Sequence, residues 1–121
     1  MAKTKRREIP RFRCPMIETH CHLDYLEPAA LEEELRVARE HGIERIVTIA
    51  VSPDNLDTVR QLASGRNDVF CTQGVHPHEA EAFNDDVAAR IRAGSEDRRV
   101  VAIGEIGLDY YYDNADRAVQ R

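Results

Sequence analysis

Apolar positions along the chain follow two alternating spacings. Short apolar runs centred near residues 17, 46, 70 and 101 are separated by segments in which apolar residues recur every three or four positions. The runs are typical of β-strands, and the wider spacing is typical of helices with one apolar face. The pattern predicts strands over residues 16–19, 45–51, 69–75 and 99–104, helices over 28–41, 53–65 and 83–94, and the start of a fourth helix within 113–121.

Residues at the ends of the predicted helices support these bounds. Proline is favoured in the first helical turn, serine and asparagine immediately before it, and glycine just past the end. Pro28, Ser52 with Pro53, and Asn114 are the predicted starts, and Gly42, Gly65 and Gly94 are the predicted ends. The apolar positions predicted to face the core are Leu31, Leu35 and Ala38, then Leu56, Val59 and Ala63, then Phe83, Val87 and Ile91.

Strands that alternate with helices at intervals of about 24–31 residues predict an α/β fold with a parallel sheet. Two architectures fit, an open doubly wound sheet and part of an eight-stranded barrel. No Gly-x-Gly-x-x-Gly follows the first strand, so we favour the (β/α)8 TIM barrel. A complete barrel needs about 250 residues. We therefore expect residues 14–121 to be the N-terminal part of one barrel domain, about its first four βα units, in a truncated chain.

Charge is distributed unevenly along the chain. Residues 1–13 carry a net charge of +5, which leaves −10 for the rest. We expect residues 1–13 to be a flexible basic leader, with a phosphate-binding arm as the alternative. The acidic remainder argues against a broad nucleic-acid-binding face, so any contact with a polyanion would be local or mediated by metal.

Hydropathy and cysteine content indicate the compartment. No apolar run is long enough to cross a bilayer, so we expect no membrane partner. Cys14, Cys21 and Cys71 include no Cys-x-x-Cys pair. We expect three free thiols in a reducing cytoplasm.

Candidate chemistry lies at the predicted carboxyl ends of the strands, where functional groups of parallel α/β proteins gather. His20 and His22 share one side of an extended strand, whereas Cys21 points the other way. Ser52 follows the second strand, His76 and His78 follow the third, and Glu105 follows the fourth. Glu105 is then the natural third ligand beside the first two histidines. Imidazole and carboxylate donors suit Zn²⁺, Mn²⁺, Ni²⁺ or Fe²⁺.

Three segments resemble the N-terminal motifs of the TatD family of metal-dependent hydrolases. They are Ile17-Glu-Thr-His-Cys-His-Leu-Asp24, Gly74-Val-His-Pro-His-Glu79 and Ile103-Gly-Glu-Ile-Gly-Leu-Asp-Tyr110. The resemblance covers roughly residues 16–121. It implies a TIM barrel, two divalent metal ions (Mg, Mn, Zn or Ni), and phosphodiester hydrolysis of DNA or another nucleic acid, typically as a 3′-to-5′ DNase. The two ions would act together on the attacking and leaving oxygens.

The resemblance also implies roles for particular residues. His20 and His22 would bind one metal, and Glu105 would bridge the pair. His76 would contact the substrate phosphate, which makes Glu105 and His76 the candidate catalytic residues. His78, Asp24 and Asp109 belong to the motifs without an assigned role, although the two aspartates are expected to cap or orient loops. The oligomeric state is left open.

The chain departs from the family pattern in two respects. Glu18 stands where the family more often has Asp, and the family's later ligands, two histidines and an aspartate, have no counterpart among the 121 residues. Two alternatives follow. The chain could be a non-catalytic fragment that binds metal weakly, or it could belong to an amidohydrolase-like or polymerase-and-histidinol-phosphatase-like barrel, which also begins with His-x-His.

Overall fold

A computed structural model describes residues 7–121, in which four strands alternate with helices as predicted. The strands are β1 (Met16–Cys21), β2 (Ile43–Thr48), β3 (Val69–Gln73) and β4 (Val100–Ile103). The helices are α1 (Pro28–Glu40), α2 (Leu56–Ala63), α3 (Asp85–Gly94) and α4 (Arg117–Gln120). Short 3₁₀ segments cover Leu23–Tyr25 and Pro77–Ala82.

The sheet has the order β1-β2-β3-β4, and each neighbouring pair is parallel. A doubly wound sheet reverses its strand order at a switch point. This sheet has no such reversal, and its order is that of consecutive strands in a (β/α)8 barrel. The predicted fold class, the first four βα units of a TIM barrel, is confirmed. Within the described residues, β1 and β4 are the two edges of the sheet.

The core lies between the central strands and helices α1 to α3. Ten of its buried members are Leu31, Leu35, Ile46, Ala50, Leu56, Val59, Ala63, Val69, Cys71 and Val87. All three predicted core positions of α2 are buried, as are Leu31 and Leu35 of α1. The edge strands differ, since Ile17 on β1 and Val101 on β4 are each more than half exposed.

The second and third helices begin later than predicted. The second helix begins at Leu56 instead of Pro53, because residues 52–55 form a turn in which the Ser52 hydroxyl accepts the Asp54 N–H (3.3 Å). The predicted core residue Phe83 lies outside α3 and is exposed. The Asn84 side chain accepts the Val87 N–H (2.9 Å) and so starts α3 one residue later.

The fourth helix is also displaced from its predicted start. Its cap is Asp116 instead of Asn114, because the Asp116 carboxylate accepts the Ala118 N–H (2.7 Å). Strand boundaries differ from the predicted ones by at most three residues, and the largest shifts are in β2, which begins at Ile43 and ends at Thr48. The strand order and the site positions are unaffected by these shifts.

The predicted leader is described only in part, because residues 1–6 lie outside the described residues. Residues 7–13 form no helix or strand, and the half-buried Phe12 donates its N–H to the His41 carbonyl (2.8 Å). The flexible leader therefore stays a prediction. Cys14, Cys21 and Cys71 are free thiols, as predicted. No helix in residues 7–121 is both long and apolar enough to span a bilayer.

Candidate metal centre

Strand β1 and the residue after it carry the two histidines of the first motif. His20 lies inside β1, and His22 follows its last residue. Glu18 shares the side of the strand on which the histidines lie, and its carboxylate accepts the His20 N–H (2.9 Å). Cys21 points the other way, where its thiol lies 3.6 Å from the Val47 carbonyl and packs against the core. Strand alternation therefore separates Cys21 from the histidines, as predicted.

The surroundings of the Cys21 thiol disfavour its ionised form. Burial raises its pKa to about 11, and the nearby carboxylates of Glu18 and Asp24 add to the effect. Metal ions bind the thiolate. In the metal-free protein this sulfur is therefore protonated at neutral pH, and its side chain faces Val47 instead of the histidines.

The segment after β4 brings Glu105 back across the sheet. The Gly104 N–H donates to the Gln73 carbonyl of β3, and the Glu105 N–H donates to the Ala50 carbonyl beyond β2, both at 2.9 Å. Gly74 makes this approach possible, because a Cβ on it would lie 2.5 Å from the Gly104 carbonyl carbon. Only glycine fits at position 74 without moving the backbone.

His20, His22 and Glu105 converge on one point. His20 Nε2 lies 3.4 Å from a Glu105 oxygen, and one ligand atom from each of the three residues lies within 4.8 Å of the others. Zn–N and Zn–O bonds are about 2.0–2.2 Å, so two donors on one ion are at most about 4.4 Å apart. Small side-chain movements would bring these donors onto a shared ion.

The environment of His22 supports the same conclusion. Its Nδ1 is buried and has no hydrogen-bond partner among residues 7–121. A buried polar atom without a partner is costly. The three donors and this unsatisfied nitrogen fit a divalent ion of the imidazole- and carboxylate-binding kind, although their role as ligands stays a prediction.

His76 lies on the other side of the Glu105 carboxylate. Its backbone N–H donates to the Val51 carbonyl (2.8 Å), and its Nδ1 accepts the His78 N–H (3.0 Å). In the neutral ring the proton is then on Nε2, which lies 3.4 Å from the second Glu105 oxygen. The His76 imidazole therefore presents a donor to the site. The structure places it beside the predicted metal ligands without making it one of their set.

His78 is held by Asp109. His78 Nε2 bonds to one Asp109 oxygen, and the other oxygen accepts the N–H groups of Tyr111 (2.9 Å) and Tyr112 (3.1 Å). These bonds, those of Tyr112 and His78 foremost, hold the pKa of Asp109 below its usual value. Asp109 thus orients the loop after β4 and fixes the ring of His78, in keeping with the loop-orienting role expected of it.

In the loop after β2, Ser52 does not face the site as predicted, and Asn55 makes a contact that was not predicted. Ser52, predicted at the rim, turns its hydroxyl to the Asp54 N–H, and Val51 lines the cleft in its place. Asn55 was not singled out from the sequence. Its amide donates to Asp24 (3.1 Å), so Asp24 also joins two loops. A Ser-Pro-Asp-Asn sequence is typical of an exposed turn, and no pattern in it marks Asn55 as buried.

The cleft has a volume of about 330 Å³ and is lined by His20, His22, Tyr25, Val51, His76, His78, Glu79 and Glu105. Exposed tyrosines lie next to two of its histidines. Tyr25 stacks on His22 at 5.0 Å between ring centroids, and Tyr112 meets His78 edge-on at 5.7 Å. A larger apolar groove of about 560 Å³ beside α3, β4 and α4 contains none of the predicted site residues.

Comparison with known proteins places these features in a family. The sequence profile described as "TatD related DNase" matches residues 17–121. An uncharacterized metal-dependent hydrolase of Escherichia coli K12, YjjV, is 34% identical over 105 residues, which cover 84% of this chain and 40% of the relative. A protein of Cronobacter turicensis named "3'-5' ssDNA/RNA exonuclease TatD" is 38% identical over 79 residues, covering 65% of this chain and 30% of the relative.

A solved structure is similar as well. The crystal structure of YjjV, a TatD homologue from E. coli K12, superposes with a TM-score of 0.72 at 32% identity, covering 88% of this chain and 42% of that one. The chain thus spans about two-fifths of the length of YjjV.

Proposed function

The chain belongs to the TatD-related DNase family, and on this basis we propose that the protein containing it is a metal-dependent phosphodiesterase, a deoxyribonuclease of the 3′-to-5′ exonuclease type. The observation that carries the proposal is the convergence of His20, His22 and Glu105 at one end of the sheet, with His76 beside them. The exonuclease name of the Cronobacter relative supports the substrate class.

In the proposed site His20 and His22 would hold one ion, and Glu105 would be the ligand shared with a second. When bound, such ions neutralise charge on phosphate oxygens and lower the pKa of a bound water. Because residues 14–121 are acidic overall, the ions would also supply the positive charge that a polyanionic substrate needs.

His76 is suited to bind the substrate phosphate. Its Nδ1 is engaged with the His78 N–H, so the protonated Nε2 faces the site. A hydrogen bond from this nitrogen to a phosphate oxygen would orient the substrate and stabilise charge that develops there. His78, anchored by Asp109, keeps the two imidazoles in contact, with ring centroids 4.4 Å apart.

The tyrosines beside the cleft favour an unpaired strand as the substrate. Tyr25 and Tyr112 are 70% and 66% exposed among the described residues. Exposed aromatic rings stack on unpaired bases, which a duplex keeps inside. We therefore propose single-stranded DNA as the preferred substrate and include RNA in the test.

The test uses the protein containing this chain, stripped of metal by a chelator and reloaded separately with Mg²⁺, Mn²⁺, Zn²⁺ or Ni²⁺. A single-stranded DNA oligonucleotide labelled at its 5′ end should shorten progressively from the 3′ end. A matching RNA, a DNA duplex and a phosphomonoester serve as comparison substrates, and the His20→Ala variant controls for contaminating nuclease. Hydrolysis of the phosphomonoester alone, or no DNA cleavage with any bound ion, would contradict the proposal.

A further inference from the structure

Asn55 occupies an unusual place between β2 and α2. It lies at the N-cap position of α2, yet its side chain makes no capping bond to that helix. The residue is only 8% exposed, although asparagine is mostly found on the surface. A helix cap is therefore not the role that keeps it buried.

One end of the Asn55 amide reaches the first histidine loop. Its Nδ2 donates to Asp24 (3.1 Å) and to the Ile49 carbonyl (3.4 Å). Asp24 lies two residues after His22 in the 3₁₀ turn, and the Leu23 N–H of that turn donates to the Thr48 hydroxyl (3.1 Å). The turn that follows His22 is thus fastened to the end of β2.

The other end of the amide fixes the loop after β2. Its Oδ1 accepts the N–H groups of Val51 (2.9 Å) and Ser52 (3.2 Å). This pattern also sets the orientation of the amide, because the flipped form would place an NH₂ group against two N–H donors. Val51 and its neighbour Ala50 are thereby held in place through the backbone.

The same two residues hold the rest of the site. The Val51 carbonyl accepts the His76 N–H (2.8 Å), and the Ala50 carbonyl accepts the Glu105 N–H (2.9 Å). Asn55 therefore connects two parts of the site. Its bond to Asp24 holds the turn that follows His22. Its bonds to the loop after β2 hold residues 50–51, whose carbonyls accept the His76 and Glu105 N–H groups.

We propose that Asn55 is a positioning residue that sets the distance between the β1 histidines and the Glu105 carboxylate, and thereby the metal affinity of the site. The proposal rests on the candidate metal centre of the proposed function but not on the identity of its substrate. Hydrogen-bond partners outside the ligand set typically change metal affinity by about 10- to 100-fold when lost.

An exchange of the two side chains isolates the Asn55–Asp24 link. Asn55→Asp keeps an acceptor for Val51 and Ser52 but sets a second carboxylate against Asp24. Adding Asp24→Asn restores the hydrogen bond in the opposite direction, because the new amide at position 24 donates to the new carboxylate at position 55. The single variant should bind Mn²⁺ or Zn²⁺ about 10- to 100-fold more weakly, and the double variant should recover to within a few-fold of wild type. A residue that served only general stability would not show this recovery.

The measurement is titration calorimetry of the metal-free protein containing this chain, with a thermal melt on each variant. The control is Asn84→Ala, which removes the asparagine cap of α3 and should lower the melting temperature without changing metal affinity. Should Asn55→Asp fail to fold, Asp24→Ala breaks the same link from the other side and should weaken metal binding similarly. Unchanged affinity in the folded single variant, no recovery in the double variant, or an equal loss in the control would overturn the proposal.

Hydrogen exchange in the metal-free protein separates this proposal from the proposed function. The Tyr25 and Leu26 amides donate within the 3₁₀ turn, so Asn55→Asp should speed their exchange while leaving α3 unaffected. If wild type bound no divalent ion, the proposed function would fail, and unchanged exchange at these two amides would then overturn the positioning role as well.

Discussion

At the scale of single residues, the site depends on which histidine nitrogens are free. His76 Nδ1 is occupied by the His78 N–H, whereas His22 Nδ1 has no partner among residues 7–121. A ring nitrogen with a free lone pair binds metal, and one that carries a proton donates a hydrogen bond. This difference agrees with the tasks proposed for the two histidines, metal binding by His22 and substrate contact by His76, although both lie at the same end of the sheet.

The first prediction concerns the ligands from β1. In the protein containing this chain, His20→Ala or His22→Ala should weaken metal binding by more than the roughly 10- to 100-fold cost of losing an outer hydrogen-bond partner. Cys21→Ser is the matched control between them and should keep the metal, because its side chain faces Val47. Metal analysis after dialysis gives the occupancy. Unchanged metal content in both histidine variants would disprove the assignment.

The second prediction separates His76 from the ligands. His76→Ala should leave metal occupancy near that of wild type while lowering turnover by about 10²- to 10³-fold, the range for losing one hydrogen-bond donor to developing charge. Single-turnover cleavage of DNA and metal analysis on the same sample measure both quantities. Loss of one ion per molecule in this variant would reassign His76 as a ligand.

The sequence identified the candidate site residues but not the residue that positions them. His20, His22, His76 and Glu105 were identifiable because parallel strands place their carboxyl ends at one edge, and the structure brings all four together. The burial of Asn55 was not predictable, because its partner Asp24 lies 31 residues earlier in the chain. A single sequence records the turn-forming type of a residue but not its distant partner.

At the scale of elements, the contact between the ends of β3 and β4 places Glu105. Gly74 and Gly104 touch through their backbones, and the Gly104 N–H donates to the Gln73 carbonyl. This contact turns the chain towards β2, where the Ala50 carbonyl receives the Glu105 N–H. A change in spacing between two strand ends would therefore move a metal ligand.

The third prediction tests this contact with two glycines. Gly74→Ala should destabilise the fold by about 1–3 kcal/mol, the usual cost of forcing atoms into a packed site, and should weaken metal binding because Glu105 shifts. Gly104→Ala is the matched control, since a Cβ there meets nothing within 4 Å, and its effect should stay within about 0.5 kcal/mol. Chemical denaturation measures the stability of each variant, and metal titration measures its metal affinity. Equal behaviour of the two variants would rule out the steric role of Gly74.

Element types were predictable where side-chain spacing was regular, and boundaries were not. The apolar spacing of Leu56, Val59 and Ala63 identified α2, but Pro53 gave a false start because the preceding turn uses backbone–side-chain bonds instead. Phe83 shared the helical spacing of Val87 and Ile91, yet Asn84 caps the helix after it. The first residue of such a helix is determined by local hydrogen bonds from side chains to the backbone, because these bonds compete with those of the helix.

At the scale of the whole molecule, the described sheet has two open edges. Apolar side chains on them are exposed, including Met16 and Ile17 on β1 and Val101 and Ile103 on β4. The apolar groove of about 560 Å³ adjoins the β4 edge. Unpaired strand edges and apolar patches of this kind promote association with other chains.

The last prediction follows from these edges and concerns the 121-residue polypeptide produced by itself. It should associate into dimers or larger species as its concentration rises, and should show no metal-dependent DNase activity. An unpaired strand edge is a template for pairing with another chain, and such pairing would also remove the exposed apolar side chains of β1 and β4 from water. Sedimentation velocity at several concentrations measures the association.

Two variants that add the same charge show whether the β4 edge is responsible. Val101→Lys places a charge on the exposed edge strand, as natural sheets do to prevent pairing, and should shift the polypeptide towards monomer. Ala89→Lys adds the charge on an exposed position of α3 and should leave association unchanged. If both variants dissociated the species equally, net charge and not the edge would be the cause. The prediction would be wrong if the wild-type polypeptide were monomeric, melted cooperatively and cleaved DNA in the presence of metal. The open edges and exposed apolar side chains would then prevent neither folding nor activity.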